Sequence, residues 1–284
     1  MQSSGAISLQ DIEDEFTGSH PISLSEYYGS DTVPASGAIS LNDFYGTSNA
    51  LYVAATGGSV STSGDYKTHT FTGSGTFTVS VAGNAAGSNS IEYLIVSGGG
   101  GRMTGYDATG GGGGAAVTTG TTTSFSATSY SITVGGGGSN SSALGTTGQK
   151  GNNGANRTAG SSGNGNGGGG EFGGGGGAGG SGGSKSNMSG CYGYTTVRGG
   201  NGGSGSSSIL GTKGGGGGGG GGKCGAGGSG GSGGGGNGCA PGWKGGCGPG
   251  SGAANSGGGG GGSDGSWSHG NGGSGVVALK YKFQ

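Results

Sequence analysis

Catalysis needs titratable groups that converge, and this chain offers few. Its three histidines, His20, His69 and His269, lie in unrelated sequence contexts and are expected at the surface or in turns. Carboxylates crowd near the start, at Asp11, Glu13, Asp14 and Glu15. That cluster has the charge for Ca²⁺, yet it lacks the loop spacing of an EF-hand and reads as the solvated face of a short helix. Cys191, Cys224, Cys239 and Cys247 contain no C-x-x-C pair, so zinc is not indicated, while two disulfides and free thiols both stay open. Matches to G-x-G-x-x-G recur in the glycine runs, but they follow from composition and lack the strand-to-helix setting and downstream acid of a dinucleotide site. The expectation is a non-enzymatic chain with no catalytic residues, no metal and no cofactor.

Recognition chemistry is better represented. Tyr192, Tyr194, Arg198, Trp243, Lys244, Trp267 and His269 all fall in interruptions between glycine runs. Aromatic faces and cationic groups suit sugars and protein hot spots alike, so these residues are candidates for contacting a receptor. Packing over the edge of whatever the glycines build is the alternative.

What positions them is unusual. Of 284 residues 91 are Gly and only 27% are hydrophobic, which excludes an ordinary single-core domain. Collagen is excluded as well, because Gly occurs in unbroken runs such as residues 214–222 and there are only 4 prolines. Disordered coil is the remaining alternative for a Gly/Ser-rich tract. With a net charge of −1 and 8% charged residues the chain has no basic stripe, so nucleic acid is not an expected partner. Residues 1–16 have no basic start or apolar run, and no apolar stretch reaches about 18 residues, so neither a secretory signal nor membrane insertion is expected.

Residues 1–50 carry a motif three times: Ile7-Ser8-Leu9-Gln10-Asp11-Ile12, Ile22-Ser23-Leu24-Ser25-Glu26-Tyr27 and Ile39-Ser40-Leu41-Asn42-Asp43-Phe44. Each copy sets a Ser N-cap three residues before a carboxylate, flanked by an apolar pair able to staple the turn. The spacing predicts two or three short helical turns ending near Gly18, Gly29 and Gly46. Turns this short are marginal alone, so Ile7, Leu9, Ile12, Ile22, Leu24, Tyr27, Ile39, Leu41 and Phe44 are expected to dock on another surface, either the body of this chain or a partner.

Residues 51–143 alternate apolar and polar side chains, as in Thr76-Phe77-Thr78-Val79-Ser80-Val81 and Tyr130-Ser131-Ile132-Thr133-Val134, and predict a small antiparallel β-sandwich. Residues 275–284 alternate again, with Val277, Leu279, Tyr281 and Phe283 on one face, and are expected to return to that sandwich. Between them, residues 144–274 are expected to form a lattice of polyglycine II helices, each rising about 3.1 Å per residue and bonded laterally through N–H and C=O groups. The fold class is therefore mostly β plus polyglycine II. Bulky residues belong between the runs, since a side chain inside one would break the packing.

Residues 69–79, His69-Thr70-Phe71-Thr72-Gly73-Ser74-Gly75-Thr76-Phe77-Thr78-Val79, then Ile91-Glu92-Tyr93-Leu94-Ile95-Val96 running into glycine, and the closing Gly275-Val276-Val277-Ala278-Leu279-Lys280-Tyr281, resemble the glycine-rich domain common in phage tail and fibre proteins. Ser-Gly-Ala-Ile-Ser-Leu at residues 4–9 and 36–41 resembles a motif at the start of marine-phage structural proteins. The glycine tract resembles the polyglycine sandwich of tail-fibre tip adhesins of T-even-like phages. These resemblances imply a virion protein assembled with other tail or fibre proteins, docked through residues 1–50 and presenting loops to a host-surface protein or glycan. No receptor-binding residue carries over, because composition carries the adhesin likeness. A passive virion or filament spacer is the structural alternative. Ice binding is a third reading, disfavoured because the glycine tract has no regular Thr-x-Thr ladder.

Overall fold

The computed structural model describes residues 2–284 except 19–20, 102–109, 156, 192–193, 222–224, 240–247 and 264–269; for residues 188–191 and 194–196 it describes the backbone alone. Among the described residues one helix, α1 (Leu9–Phe16), and two 3-10 turns (Leu24–Tyr27 and Leu41–Phe44) precede twelve strands. These are β1 (Val53–Thr56), β2 (Ser59–Ser63), β3 (Tyr66–Phe71), β4 (Gly75–Ala82), β5 (Ile91–Val96), β6 (Val117–Thr122), β7 (Ser129–Ile132), β8 (Ser142–Ala143), β9 (Thr146–Thr147), β10 (Ser186–Cys191), β11 (Tyr194–Arg198) and β12 (Val276–Lys282).

The three repeated motifs form the three capped turns. Ser8 Oγ accepts from Asp11 N–H at 3.2 Å while Asp11 Oδ2 accepts from Ser8 N–H at 2.7 Å, and Glu26 and Asp43 reach back in the same way to the N–H groups of Ser23 and Ser40. Hydrogen bonds from Ser8 hold the Asp11 carboxyl below its usual pKa. Each box turns its fourth helical residue inward, so Ile12, Tyr27 and Phe44 are buried in one cluster with Ile7 and Val33. The rings of Phe16, Tyr27 and Phe44 meet pairwise at 6.0–6.2 Å.

Here the structure departs from the expectation that these side chains await an outside surface: the three turns supply a core for one another. Ile22, Leu24 and Ile39 pack half-buried against it, whereas Leu9 and Leu41, first residues of their turns, stay 39% and 36% exposed. Asn49 links this unit to the sandwich, donating its N–H to Glu15 and accepting at its carbonyl from the Asn84 side chain. That bond from Asn49 keeps the Glu15 carboxyl low.

Two antiparallel sheets follow, one ordered β1-β4-β7 and one ordered β2-β3-β12-β5-β6. The C-terminal strand β12 is thus central, pairing with β3 from Val277↔Phe71 and with β5 from Val276↔Val96. One of its faces puts Val277, Leu279 and Tyr281 into the main core with Val53, Phe71, Phe77, Val79, Ile91, Ile95 and Ile132. The other puts Val276 and Ala278 with Leu94, Val96 and Ala115, a smaller cluster that joins the sheet to the glycine array.

His69 is buried in the main core, against Phe77 and Tyr281, rather than exposed. Its Nδ1 lies 2.6 Å from the Gly57 carbonyl, which can only accept, so Nδ1 carries the proton and Nε2 accepts from Tyr281 OH at 3.0 Å. Tyr281 OH accepts in turn from Ala55 N–H at 3.2 Å, which ties β1, β3 and β12 together. Gly57 sits at φ +115°, and a Cβ there would lie 2.2 Å from the Thr76 carbonyl oxygen, so this corner admits glycine only.

Burial first, and the Lys67 charge second, hold the His69 pKa below its ordinary value, against the opposing pull of the Gly57 carbonyl. A depressed histidine pKa contributes stability that is complete above about pH 6.5 and is lost as pH falls through the folded pKa. Thermal midpoints should fall on acidification from about pH 6.5. His69→Gln should flatten that slope while leaving the carboxylate-driven losses near pH 4 in place.

The glycine array shows a three-residue period in its backbone bonds. From residue 111 to 116, N–H groups 111 and 114 donate to Gly173 and Gly176, groups 112 and 115 to Gly260 and Gly257, and groups 113 and 116 to Asn152 and Gln149. The carbonyls of 111 and 114 accept from Gly160 and Gly163, that of 112 from Gly217 and that of 113 from Gly100. One run thereby bonds six neighbours, as a three-per-turn helix in a hexagonal array must.

Run 214–221 repeats the pattern. Its residues 215, 218 and 221 donate to 233, 236 and 239, residues 216 and 219 donate to 203 and 200, and residue 217 donates to 112. Its carbonyls accept from runs containing Gly175, Gly228 and Gly259. A Cβ on Gly217 would stand 2.0 Å from the Gly260 oxygen and one on Gly112 2.2 Å from the Gly100 oxygen, which is why these runs carry no side chain. Where a run lacks a neighbour, asparagine substitutes for one: Asn153, Asn201 and Asn237 accept through Oδ1 from the N–H groups of Gly101, Ser229 and Gly230. Residues 98–101 and 110–116 belong to this array, so it begins well before residue 144 and interleaves with the sandwich strands.

Candidate functional site

The direction of each run follows from its bonding register. Val96 leads into residue 98 and residue 116 into Val117, so these ends adjoin the five-stranded sheet, while residues 101 and 110 mark the remote end. Run 149–152 is antiparallel to 111–116 and run 173–176 is parallel to it, which carries the turns around Arg157 and Phe172 to the remote end as well. By the same register, the described residues flanking 192–193, 222–224, 240–247 and 264–269 end there. The sheet therefore holds one end of the array, and the described residues that flank these interruptions lie at the other.

Described side chains at that end form one cluster across three connections. Glu171 Oε2 accepts from Lys185 Nζ at 3.0 Å, and Glu171 Oε1 lies 3.4 Å from Arg157 Nε. Lys185 Nζ also stands 5.5 Å from the Phe172 ring centroid. The Lys185 hydrogen bond, with smaller help from its charge and that of Arg157, keeps the Glu171 carboxyl below its usual pKa. Arg157 is 71% exposed, so the pairs orient side chains and add little to stability. Arg157 and Phe172 adopt φ +58° and +57°, left-handed backbone at the turn tips, and the Phe172 carbonyl accepts from Gly200 N–H at 2.8 Å. The turn is thereby bonded into the array. This arrangement holds cationic and aromatic groups on turns bonded into the array.

Of the residues expected to contact a receptor, Arg198 closes β11, in register with Ser186 of β10, and is exposed. Tyr194 opens β11, with only its backbone described. Tyr192, Trp243, Lys244, Trp267 and His269 lie outside the described residues. Cys239, at the remote end of its run, is disulfide-bonded, which decides for oxidised sulfur at that one position. Arg157, Glu171 and Phe172 were not among the sequence candidates. Their signal was available: each is a bulky residue between glycine runs.

Among the described residues no group of three or more His, Cys, Asp or Glu could hold a metal ion, and no helix is long and apolar enough to cross a membrane. An open groove of about 260 Å³ on the sheet, lined by Glu92, Tyr93, Leu94, Thr119, Thr121 and Ile209, offers one carboxylate, one phenol and two aliphatic hydroxyls. Comparison with curated proteins finds no match, and neither does comparison with solved structures. The model of the glycine-rich domain family matches residues 70–282, from the end of β3 through the array to the end of β12, and the chain belongs to that family.

Proposed function

We propose that the chain is a non-enzymatic component of a bacteriophage tail, a fibre or tip adhesin that docks through residues 1–50 and presents the remote loops of its glycine array to a host surface. The polarity of the array carries this reading. The sheet end is closed by β12 and by the joint at Asn49, while the opposite end gathers Arg157, Phe172, Lys185 and Arg198 from three connections. A spacer needs the stiff array but has no use for varied side chains collected at one pole. The resemblance of the opening motif to marine-phage structural proteins supports the docking half.

The test is adsorption of the purified full chain to bacterial cells, beside a variant in which Arg157, Lys185 and Arg198 are replaced by serine. Saturable binding that the triple substitution weakens supports an adhesin. A chain that is found in purified tails yet binds no host of those particles is the spacer. Absence from tails refutes the virion assignment altogether.

A further inference from the structure

Cations and carboxylates are collected at opposite poles. Arg157, Lys185 and Arg198 belong to the remote end of the array, and the interruptions flanked by remote-end residues carry Arg102, Lys223 and Lys244, outside the described residues. Against these six stand Glu171 and, in the same interruptions, Asp107 and Asp264, which leaves the pole a formal side-chain charge of +3. Residues 1–50 hold seven carboxylates and no lysine or arginine, a formal −7. Strand pairing puts them at the far end. β2 starts with Ser59 opposite Thr70, next to Phe71 and Val277 where β12 leaves the array, so β1 finishes toward the array and begins, at Val53, away from it. The capped turns, joined there through Asn49, are therefore carried at the opposite end of the molecule from the cationic pole. Charge separated in this way turns the cationic pole toward a negatively charged surface during approach.

The distribution of the cations narrows the ligand further. They come from five different connections, 102–109, 153–158, 184–198, 222–226 and 240–249, which suits a ligand whose negative charge repeats along its length. With residues 170–172 and 264–269, these connections also hold both tryptophans and four further aromatic residues but no leucine or isoleucine, so the pole lacks the aliphatic side chains that enter a lipid layer. Flat rings beside cations suit sugars that bear acidic groups, the ring meeting the apolar face of the sugar and the cation its charge. The described cluster already holds such a group. Lys185 Nζ donates to the Glu171 carboxylate at 3.0 Å and Arg157 Nε lies 3.4 Å from it, with the Phe172 ring centroid 5.5 Å from Lys185 Nζ. Arg198 is exposed and has no ion pair among the described residues.

We infer that the remote pole recognises an acidic polysaccharide, whose carboxylate or phosphate groups are held by Arg157, Lys185 and Arg198 and whose sugar rings lie against aromatic faces such as that of Phe172. This rests on the reading of the chain as an adhesin and names the chemistry of its receptor. The carboxylates of residues 1–50 face away from that receptor and keep the docking unit off it.

Binding of the purified full chain to defined polymers tests it. Polygalacturonate and phosphorylated dextran probe carboxylate and phosphate, beside unmodified dextran, polyacrylate and phosphatidylglycerol vesicles. At about 0.05 M salt one or both acidic polysaccharides should bind about tenfold or more tightly than dextran, polyacrylate or vesicles, and the affinity should fall toward about 0.5 M, where charges are screened within several ångströms. Arg157→Ser, Lys185→Ser and Arg198→Ser together should weaken that binding about tenfold or more. Lys67→Ser, Lys150→Ser and Lys213→Ser remove the same charge from β3 and from the sheet end of the array, and should change it by less than about twofold. Circular dichroism checks that each variant is folded. Equal losses in the two triple variants, polyacrylate or vesicles bound as tightly as the polysaccharides, or no binding to either acidic polysaccharide overturns the proposal. If the chain then still adsorbs saturably to host cells and the remote-pole variant weakens it, the adhesin reading survives with a receptor of other chemistry.

Discussion

Gly217→Ala should lower the unfolding free energy by about 3 kcal/mol or more, while Gly167→Ala should change it by less than about 1 kcal/mol in either direction. Both replacements add one methyl group, and both sites have ordinary backbone conformations. The difference is the neighbourhood: the new Cβ at 217 meets the Gly260 oxygen at 2.0 Å, and at 167 it meets nothing within 4 Å. Moving the run aside to admit the methyl strains its bonds to run 110–116 and to the runs through Gly203 and Gly236, each worth about 0.5–1.5 kcal/mol net. For a chain of this size each kcal/mol displaces the thermal midpoint by about 2–4 °C, so the contrast is readable by calorimetry. Equal midpoints for the two variants would mean that the glycines are not in close lateral contact.

The second large effect concerns the frame. Leu279→Ala removes a fully buried side chain from the centre of the five-stranded sheet and should cost about 2–5 kcal/mol. More informative is which parts melt. Ordering each residue costs about 1–2 kcal/mol, against a net 0.5–1.5 kcal/mol for each hydrogen bond, so the array has little surplus stability of its own. Strand β12 closes it, with Val276 and Ala278 packing on Ala115 on one face while Leu279 and Tyr281 fill the sandwich core on the other. The variant should therefore show one transition, shifted down, in which array and sandwich unfold together. Two transitions, with the array persisting after the sandwich has melted, would show that the glycine runs need no frame.

Much of this frame was legible in the residues. Alternation in Thr76-Phe77-Thr78-Val79 and in Leu279-Lys280-Tyr281-Lys282 marks strands with one buried face, and a lone closing strand has nowhere to pair except the earlier sheet. The capping spacing of Ser8 with Asp11 and of Ser23 with Glu26 identifies the turns. That the turns share a core was not legible, because a staple motif specifies its own local pair and says nothing of how Ile12, Tyr27 and Phe44 converge. His69 misleads for a similar reason. Its neighbours Thr68 and Thr70 look like surface, and the Nε2 partner, Tyr281, returns more than two hundred residues later.

The array starts earlier than residue 144, because residues 110–116 end in Ala-Ala and continue directly into Val117 of β6, so composition blurs the point where a glycine helix becomes a strand. At the remote pole, the rule that bulky residues lie between runs anticipates Arg198 and, applied more widely, reaches Arg157 and Phe172. Which of them share a cluster depends on run direction, and that is set by hydrogen-bond register, which leaves no trace in glycine sequence.

The most direct measurement is amide hydrogen exchange of the full chain, resolved along runs 111–116 and 214–221. The lattice places the N–H groups of residues 111–116, 214–219 and 221 in lateral bonds, so their exchange should be slow and as uniform as that of β5 and β12, proceeding only through global unfolding. Exchange at random-coil rates in the glycine runs, beside protected strands, would contradict it and leave a flexible tether in place of a stiff support.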